Sequence, residues 1–299
     1  MSMTPTTRAY WQIHFCVVLW GFTAILGKMI SLPALPLVWW RLVIVVGALL
    51  LFPTVWRGLR AMSWRLIGAY AGIGVLVALH WLTFYGAIKL ANASVAAACM
   101  GLAPVFLAVI EPLLMRTRFD PRELLLGALV VPGVALVVGG VPVSMHAGIA
   151  VGTLSALLVA LFGALNKKYV EQGEPLTVTF VELGAGGAFL WLVAGAWMAT
   201  QGGVDSAQWV PGARDAGWLL VLALACTLLP FALSLVALRH LTAFQAQLAV
   251  NLEPVYAVAL AALLLGEQRE LGPSFYAGVA IILGAVLAHP WLVPAKPAR

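Results

Sequence analysis

Apolar runs long enough to cross a bilayer follow one another along nearly the whole chain, and this feature limits the possible folds most strongly. A membrane-spanning helix needs roughly 20 consecutive apolar residues. Only 9% of the 299 residues are charged, too few to cover a soluble globule of this size. Because the runs have helix length and do not alternate, they predict an all-α integral membrane protein and not an outer-membrane barrel. Ten spans are predicted, at 11–30, 36–55, 66–88, 94–114, 123–140, 148–167, 176–199, 217–238, 244–265 and 273–291.

The positive charge of the chain predicts its orientation in the membrane. The formal net charge is +6, but the basic residues lie at the ends of the apolar runs, so they indicate topology and not a nucleic-acid partner. With the N-terminus in the cytoplasm, most lysine and arginine residues fall on the cytoplasmic side. We therefore expect a multi-pass protein of the cell inner membrane with both termini in the cytoplasm.

One stretch in the first half of the chain, Leu90–Met115, has a second copy of its pattern at Leu241–Leu265. With Pro104 aligned on Pro254, both copies carry a Pro-Val pair near the middle of a long apolar helix. Such a pair of broken helices at matching points of two halves is the best sequence pointer to the binding site of a transporter. We interpret both prolines as hinges, because proline removes a backbone hydrogen bond and lets the half-helices bend.

The repeat also predicts how the chain is divided. Five spans per half is an odd number, so the second half would enter the membrane from the opposite side. We therefore predict two inverted five-helix repeats, 1–143 and 144–299, within one membrane domain. An inverted repeat allows one fold to open to either side in turn, which is alternating access.

Several short motifs resemble those of a known transporter superfamily. A Trp-Gly pair (Trp20, Gly21) stands in the first span, Lys28 closes that span and is echoed by Lys168, and the second proline helix has an acidic end (251–268). With the five-plus-five duplication, these features are similar to the drug/metabolite transporter superfamily, and within it to the EamA-type permeases. The resemblance implies a proton-coupled or facilitative carrier of small metabolites.

Two details qualify the resemblance. The tryptophan-rich first half is similar to the exporters of aromatic and other amino acids, which implies amino acids as substrates. The acidic residue that the family places thirteen positions after the proline is Glu267 in the second half, whereas Thr117 holds that place in the first half. The first-half copy of the motif is therefore incomplete.

Two polar residues near Pro254 are candidates for substrate binding. An ionised carboxylate in the middle of a span costs several kcal/mol, so Glu253 should face a cavity, be paired or be protonated. It is interpreted either as a site for a substrate amine or a proton, or as an acid bonded to backbone carbonyls. Asn251 offers a donor and an acceptor to a zwitterion, and a hydrogen bond between helices is its alternative.

The walls of the path are predicted to be largely aromatic, which suits a broad grip on amino-acid side chains. His80 shares a helix face with Phe84 and is interpreted as either a lining residue or a satisfied core histidine. Arg41 and Glu182 occupy equivalent places in spans two and seven; we expect them to form a structural pair, and snorkelling of each to a nearby interface is the alternative. The other candidate wall residues, each of which could also be core or lipid-facing, are Trp20, Met100, Gly101, Phe162 and Phe231.

Together these observations predict an exporter of small amphipathic metabolites, most of all amino acids including aromatic ones, which works by alternating access. The path is expected between spans one, three, four, six, eight and nine, with a monomer handling small molecules within the lipid bilayer. A multidrug or quaternary-ammonium exporter is the alternative within transport, and an intramembrane enzyme and a channel are rivals from other classes. No metal-ligand spacing, nucleophile triad or cofactor motif is found in the sequence, so we predict no enzyme activity, no metal and no cofactor.

Overall fold

The computed structural model describes residues 4–201, 209–250 and 252–292. Within these ranges the chain is helical and has no β-strand, as the apolar runs predicted. Two π-helical segments, Val221–Leu228 and Ala261–Leu265, continue the helices before them. The helices are α1 (Pro5–Met29), α2 (Ala34–Leu49), α3 (Pro53–Ala61), α4 (Trp64–Leu90), α5 (Ala93–Met100), α6 (Ala103–Met115), α7 (Pro121–Gly139), α8 (His146–Tyr169), α9 (Pro175–Gln201), α10 (Ala213–Leu220), α11 (Leu229–Leu238), α12 (Ala243–Val250), α13 (Glu253–Leu260) and α14 (Pro273–Leu292).

Six stretches in the described residues are long and apolar enough to cross a membrane, and a seventh is obtained if α2 and α3 are taken together. The six are Pro5–Met29, Trp64–Leu90, Ala93–Met115, Val143–Tyr169, Pro175–Ala196 and Ala213–Leu238. Three shorter apolar helices, Leu129–Gly139, Glu253–Leu265 and Pro273–Ala285, lie where further spans were predicted. The protein is therefore a multi-pass membrane protein, and the count of ten spans stays a prediction.

The second predicted span, 36–55, is shorter than expected. Helix α2 ends at Leu49, and the chain turns by 91° before α3. Proline is favoured in the first turn of a helix, and Pro53 begins α3. The exposed residues of α3 include Trp56 and two arginines, which gives this short helix the amphipathic character of a segment at a membrane surface.

The helices pack mostly across the two halves of the chain. Helix α1 lies against α11, α12 and α13, and α8 lies against α4, α5 and α6 in the same manner. Helix α2 packs against α9, α7 against α14, α5 against α13 and α6 against α12. This arrangement brings the two proline helices together in the interior, where Pro104 and Pro254 are both buried.

Both proline helices break at the same position and with the same backbone geometry. Leu102 (φ −79°, ψ −16°) precedes α6, and Leu252 (φ −76°, ψ −14°) precedes α13. Each leucine carbonyl accepts hydrogen bonds from the amides three and four residues further on, at 3.0 and 3.3 Å in the first half and at 3.1 and 3.3 Å in the second. Each proline thus stands in the first turn of the second half-helix, where its missing N–H has no intrahelical partner to lose. The helix is interrupted before the proline and not at it.

Candidate functional site

A cavity of about 120 Å³ lies between the helices that meet at the two breaks. It extends from the level of the breaks towards the end of the bundle at which α11 ends and α12 begins. Its walls come from α1, α2, α4, α5, α8, α11, α12 and α13. The lining residues are Ile13, Trp20, Thr23, Arg41, His80, Trp81, Phe84, Met100, Val159, Phe162, Gly163, Asn166, Phe231, Ser234, Leu235, Leu238, Ala246, Val250 and Glu253.

Aromatic rings form much of the cavity wall. The ring of His80 stacks on Phe84 with centroids 6.2 Å apart and lies 5.4 Å from the ring of Phe162. Trp81 of α4 and Phe231 of α11 meet edge to face at 6.1 Å. Such rings provide a large apolar contact area with a polar edge, which suits ligands with flat or aliphatic side chains.

His80 is fixed in its rotamer by the neighbouring helix. Its Nδ1 atom lies 2.9 Å from the hydroxyl oxygen and 3.0 Å from the carbonyl oxygen of Ser155, and the side chain is buried. The two interpretations of this residue therefore coincide, because His80 lines the cavity and also has a hydrogen-bond partner in the core.

Arg41 places a guanidinium group in the cavity wall. Its Nε donates to the Thr227 hydroxyl at 2.5 Å and its Nη1 donates to the Tyr85 hydroxyl at 3.0 Å. The guanidinium carbon stands 3.7 Å from the centroid of the Trp81 ring, a cation–π contact. A guanidinium group has five N–H donors. Several donors of this buried cation therefore remain for a carboxylate or other anion in the cavity.

Glu253 places the opposite charge in the same cavity. It is the first residue of α13, where a helix N-terminus favours a negative group. Arg41 and Glu253 are close enough to interact electrostatically, but they form no ion pair with each other. In the described part of the chain no hydrogen bond to backbone carbonyls satisfies the Glu253 carboxyl group, so the structural alternative for this residue is not observed there.

The structure brings most of the predicted wall residues together. Trp20, His80, Phe84, Met100, Phe162, Phe231 and Glu253 all line the cavity. Gly101 was misplaced by the sequence interpretation: a side chain there would collide with Ile282 of α14, so this glycine allows close helix packing. Asn251 lies outside the described residues.

The sequence interpretation missed Arg41 as a cavity residue and misjudged its partner. The expected pair of Arg41 with Glu182 is wrong, because Arg41 contacts Thr227 and Tyr85, whereas Glu182 accepts a hydrogen bond from Asn166 at 3.3 Å. Span two was also not expected to contribute to the path. The signal in the sequence was an arginine in the middle of an apolar run, which is costly unless it faces a cavity or a partner.

Comparison with known proteins shows which family the chain belongs to. The sequence model of the EamA-like transporter family matches residues 7–139 and again residues 146–289. The chain belongs to this family. It is 28% identical over 282 residues to an uncharacterized transporter of Pseudomonas aeruginosa, covering 90% of this chain and 89% of that protein.

The fold of this EamA-like protein is also found among crystal structures. One solved protein superposes with a TM-score of 0.66 over 96% of this chain and 99% of the other, at 16% sequence identity. At this level of identity the likeness concerns the fold alone. The family match identifies a membrane transporter, in agreement with the resemblance seen in the sequence, and points away from an intramembrane enzyme.

Proposed function

We propose that this EamA-like protein exports amino acids, including aromatic ones, across the cell inner membrane by alternating access. The observation that carries the proposal is the presence of two opposite charges in the cavity. Arg41 and Glu253 line the same space between aromatic walls but form no ion pair with each other. A zwitterionic amino acid presents a carboxylate and an ammonium group on one carbon. Arg41 would hold the carboxylate, Glu253 the ammonium group, and the aromatic rings the side chain.

The proposed cycle uses two inverted repeats, 1–143 and 144–299. Three features support them: the family match occurs once in each half, α1 and α8 have reciprocal packing partners in the opposite half, and the two proline helices share one break geometry. If each repeat adopted the conformation of the other, the same cavity would open to the opposite side of the membrane. Both chain termini are proposed to be cytoplasmic.

The cavity has a direction that fits the first step of export. It reaches towards the end of the bundle at which α12 begins, which is the end from which α1 enters the membrane. With a cytoplasmic N-terminus this end faces the cytoplasm. The conformation would then be the inward-facing one, ready to receive a cytoplasmic amino acid.

A multidrug or quaternary-ammonium exporter is the second candidate. The carboxylate of Glu253 among aromatic rings is the observation that favours it, because aromatic cavities with an anion bind organic cations. A buried guanidinium in the same wall would repel such cations, and this makes the zwitterion the better fit.

Flux through the purified protein tests the proposal. We expect proteoliposomes containing this protein to take up radiolabelled phenylalanine at least about tenfold faster than empty vesicles, with competition by excess unlabelled leucine or tryptophan. A permanently cationic dye should compete weakly. Saturable dye transport without phenylalanine transport would overturn the proposal in favour of the second candidate.

The two prolines give a separate prediction about the hinges. Alanine at Pro104 or Pro254 would supply an N–H that can bond one turn back and straighten the helix through the break. We therefore expect Pro104→Ala and Pro254→Ala to lower the turnover rate about five- to tenfold while the affinity for phenylalanine changes less than about twofold. Pro112 lies inside α6, after the break, and Pro112→Ala serves as the matched control. Equal turnover in all three variants and the wild type would rule out the hinge role.

A further inference from the structure

A second buried carboxyl group lies beside the cavity and is not used by the proposed substrate site. Glu182 on α9 is 0% exposed, and its Oε2 atom accepts a hydrogen bond from Asn166 Nδ2 at 3.3 Å. The other carboxylate oxygen, Oε1, has no hydrogen-bond partner among the described residues. The same is true of Asn166 Oδ1, although Asn166 is also buried. Two oxygen atoms of one side-chain pair are thus left unsatisfied, which is costly in an apolar interior.

No cation compensates Glu182 in the described residues. Tyr70 interacts electrostatically with Glu182, but its hydroxyl donates to the Tyr169 carbonyl at 2.8 Å and not to the carboxylate. The basic side chains on the surrounding helices are directed to other partners or to the surface, and none forms an ion pair with Glu182 in the described ranges. The titratable and charged groups on the elements around α9 are Arg65, Tyr70, His80, Tyr85 and Lys89 on α4, Arg41 on α2, Arg57 and Arg60 on α3, His146, Lys167, Lys168 and Tyr169 on α8, and Arg239 after α11.

A single proton satisfies both orphaned oxygen atoms. If Oε1 carries the proton, the acid O–H can donate to Asn166 Oδ1 while Asn166 Nδ2 donates to Oε2. This is a reciprocal acid–amide pair that leaves no buried polar atom of the two side chains unsatisfied. The ionised form would instead place an unpaired charge within the membrane, which costs several kcal/mol.

We propose that Glu182 and Asn166 form a proton-binding site that couples transport to the proton gradient. The inference rests on the proposed transport function and adds its energy source. Asn166 connects the two sites, because it lines the substrate cavity and also holds the Glu182 carboxyl group. Glu182 takes up one proton on Oε1 when the cavity is open to one side of the membrane and releases it to water when the cavity is open to the other.

The shared asparagine also gives the direction of coupling. A substrate ammonium group that uses Asn166 Oδ1 as its acceptor competes with the acid O–H for the same atom. Binding of substrate then weakens binding of the proton, and by linkage the proton weakens binding of substrate by the same factor. Mutual weakening of this kind produces exchange, with an amino acid leaving the cell as a proton enters.

The test compares wild type with Glu182→Gln in proteoliposomes whose membrane potential is clamped. The glutamine amide can form the same reciprocal pair with Asn166 but cannot titrate. At one proton per substrate, we expect a gradient of one pH unit to drive about tenfold phenylalanine accumulation in the wild type. Glu182→Gln should lose this accumulation yet still exchange internal for external phenylalanine. Glu253→Gln, the other intramembrane carboxyl variant, should bind substrate more weakly but keep the response to the gradient.

Infrared spectroscopy of the purified protein provides a readout without transport. A carbonyl band of a buried protonated carboxylic acid is expected at neutral pH in the wild type and in Glu253→Gln, and should be missing in Glu182→Gln. Each of three results would overturn the inference. The first is phenylalanine accumulation that persists in Glu182→Gln, and the second is wild-type transport that does not respond to the pH gradient. The third is the absence of the infrared band in the wild type. A wild type that carries no phenylalanine would instead refute the proposed function, and the infrared band would still decide on the proton site.

Discussion

Arg41→Gln is expected to lower the affinity for phenylalanine at least about 30-fold, while the affinity for phenethylamine stays the same or rises. Removing one member of a desolvated charge pair costs about 2–5 kcal/mol. A factor of ten in affinity corresponds to about 1.4 kcal/mol. Phenethylamine has the ring and the amine of phenylalanine but lacks the carboxylate, so it loses no bond to the guanidinium group and is no longer repelled by its charge. Isothermal titration calorimetry on the detergent-purified protein measures both affinities.

Substitution of the other charged residue of the cavity, Glu253, provides the converse test of ligand selectivity. Glu253→Gln should weaken phenylalanine and phenethylamine but spare 3-phenylpropionate, which has a carboxylate and no amine. Arg41→Gln should have the opposite selectivity, and retained binding of one ligand by each variant shows that its fold is intact. Arg57→Gln alters an exposed arginine on α3 and should change none of these affinities.

A different pattern of affinities would indicate a structural role for Arg41. A loss of affinity for all three ligands in Arg41→Gln would mean that the guanidinium group is structural, holding α2 to Tyr85 on α4 and to Thr227 through the bonds at 3.0 and 2.5 Å. Arg41→Lys distinguishes the effect of the positive charge on affinity from the effect of the planar guanidinium shape. Lysine keeps the charge but lacks the planar group that stacks on Trp81 and the fork that matches a carboxylate, so an intermediate affinity for phenylalanine is expected.

The helices and most of the cavity wall followed from local patterns in the sequence. Uninterrupted apolar runs can satisfy their backbone in a membrane as helices, and the aligned Pro104 and Pro254 marked the two breaks. Met100, which lies four residues before Pro104, could therefore be predicted as a wall residue from its position. The family match agrees with the resemblance drawn from the same motifs.

The polar groups of the cavity could not be predicted in the same way, because their partners are set by tertiary packing. Whether Arg41 turns to an interface, to Glu182 or into the cavity depends on where Thr227 lies. Thr227 belongs to a π-helical segment, and its hydroxyl donates to the Leu222 carbonyl at 2.6 Å. Such a local widening of the helix has no simple sequence signal. The role of Asn166 likewise depends on a contact between α8 and α9.

Glu267→Ala is expected to lower the apparent melting temperature in detergent on the order of 5–10 °C. Glu267 is buried at 2% exposure and accepts three hydrogen bonds at the start of α5, from Ala93 N at 3.1 Å, Ser94 N at 2.9 Å and Ser94 Oγ at 2.7 Å. Its removal leaves two backbone N–H groups without an acceptor in the core. Each such group costs about 1–3 kcal/mol. Thermal unfolding followed by intrinsic tryptophan fluorescence measures the shift.

Glu270→Ala is the matched control for this prediction. Glu270 is exposed, lies three residues further along the chain, and accepts one side-chain bond, from Asn92 Nδ2 at 3.3 Å. The carboxylate side of this part-buried bond faces solvent, so a water molecule can replace Glu270 as the acceptor for the buried Asn92 amide. We expect Glu270→Ala to shift the melting temperature by less than about 2 °C. Equal shifts in the two variants would show that Glu267 does not hold the two proline helices together.

The start of α12 explains why the first half has no acidic residue at Thr117, the position equivalent to Glu267. The start of α12 satisfies its own amides: Gln245 N donates to Thr242 Oγ1 at 3.0 Å, and Thr242 N donates to Gln245 Oε1 at 2.9 Å. This reciprocal capping box replaces a carboxylate from the other half, so Thr117 needs no charge. Of these two helix starts, that of α5 is bonded to a buried carboxylate of the other half, and the cavity extends towards the opposite end, where α12 begins. Release of the Glu267 contact is therefore expected to favour opening at the α5 end, and Glu267→Gln, which keeps one acceptor oxygen, should show a smaller loss of stability than Glu267→Ala.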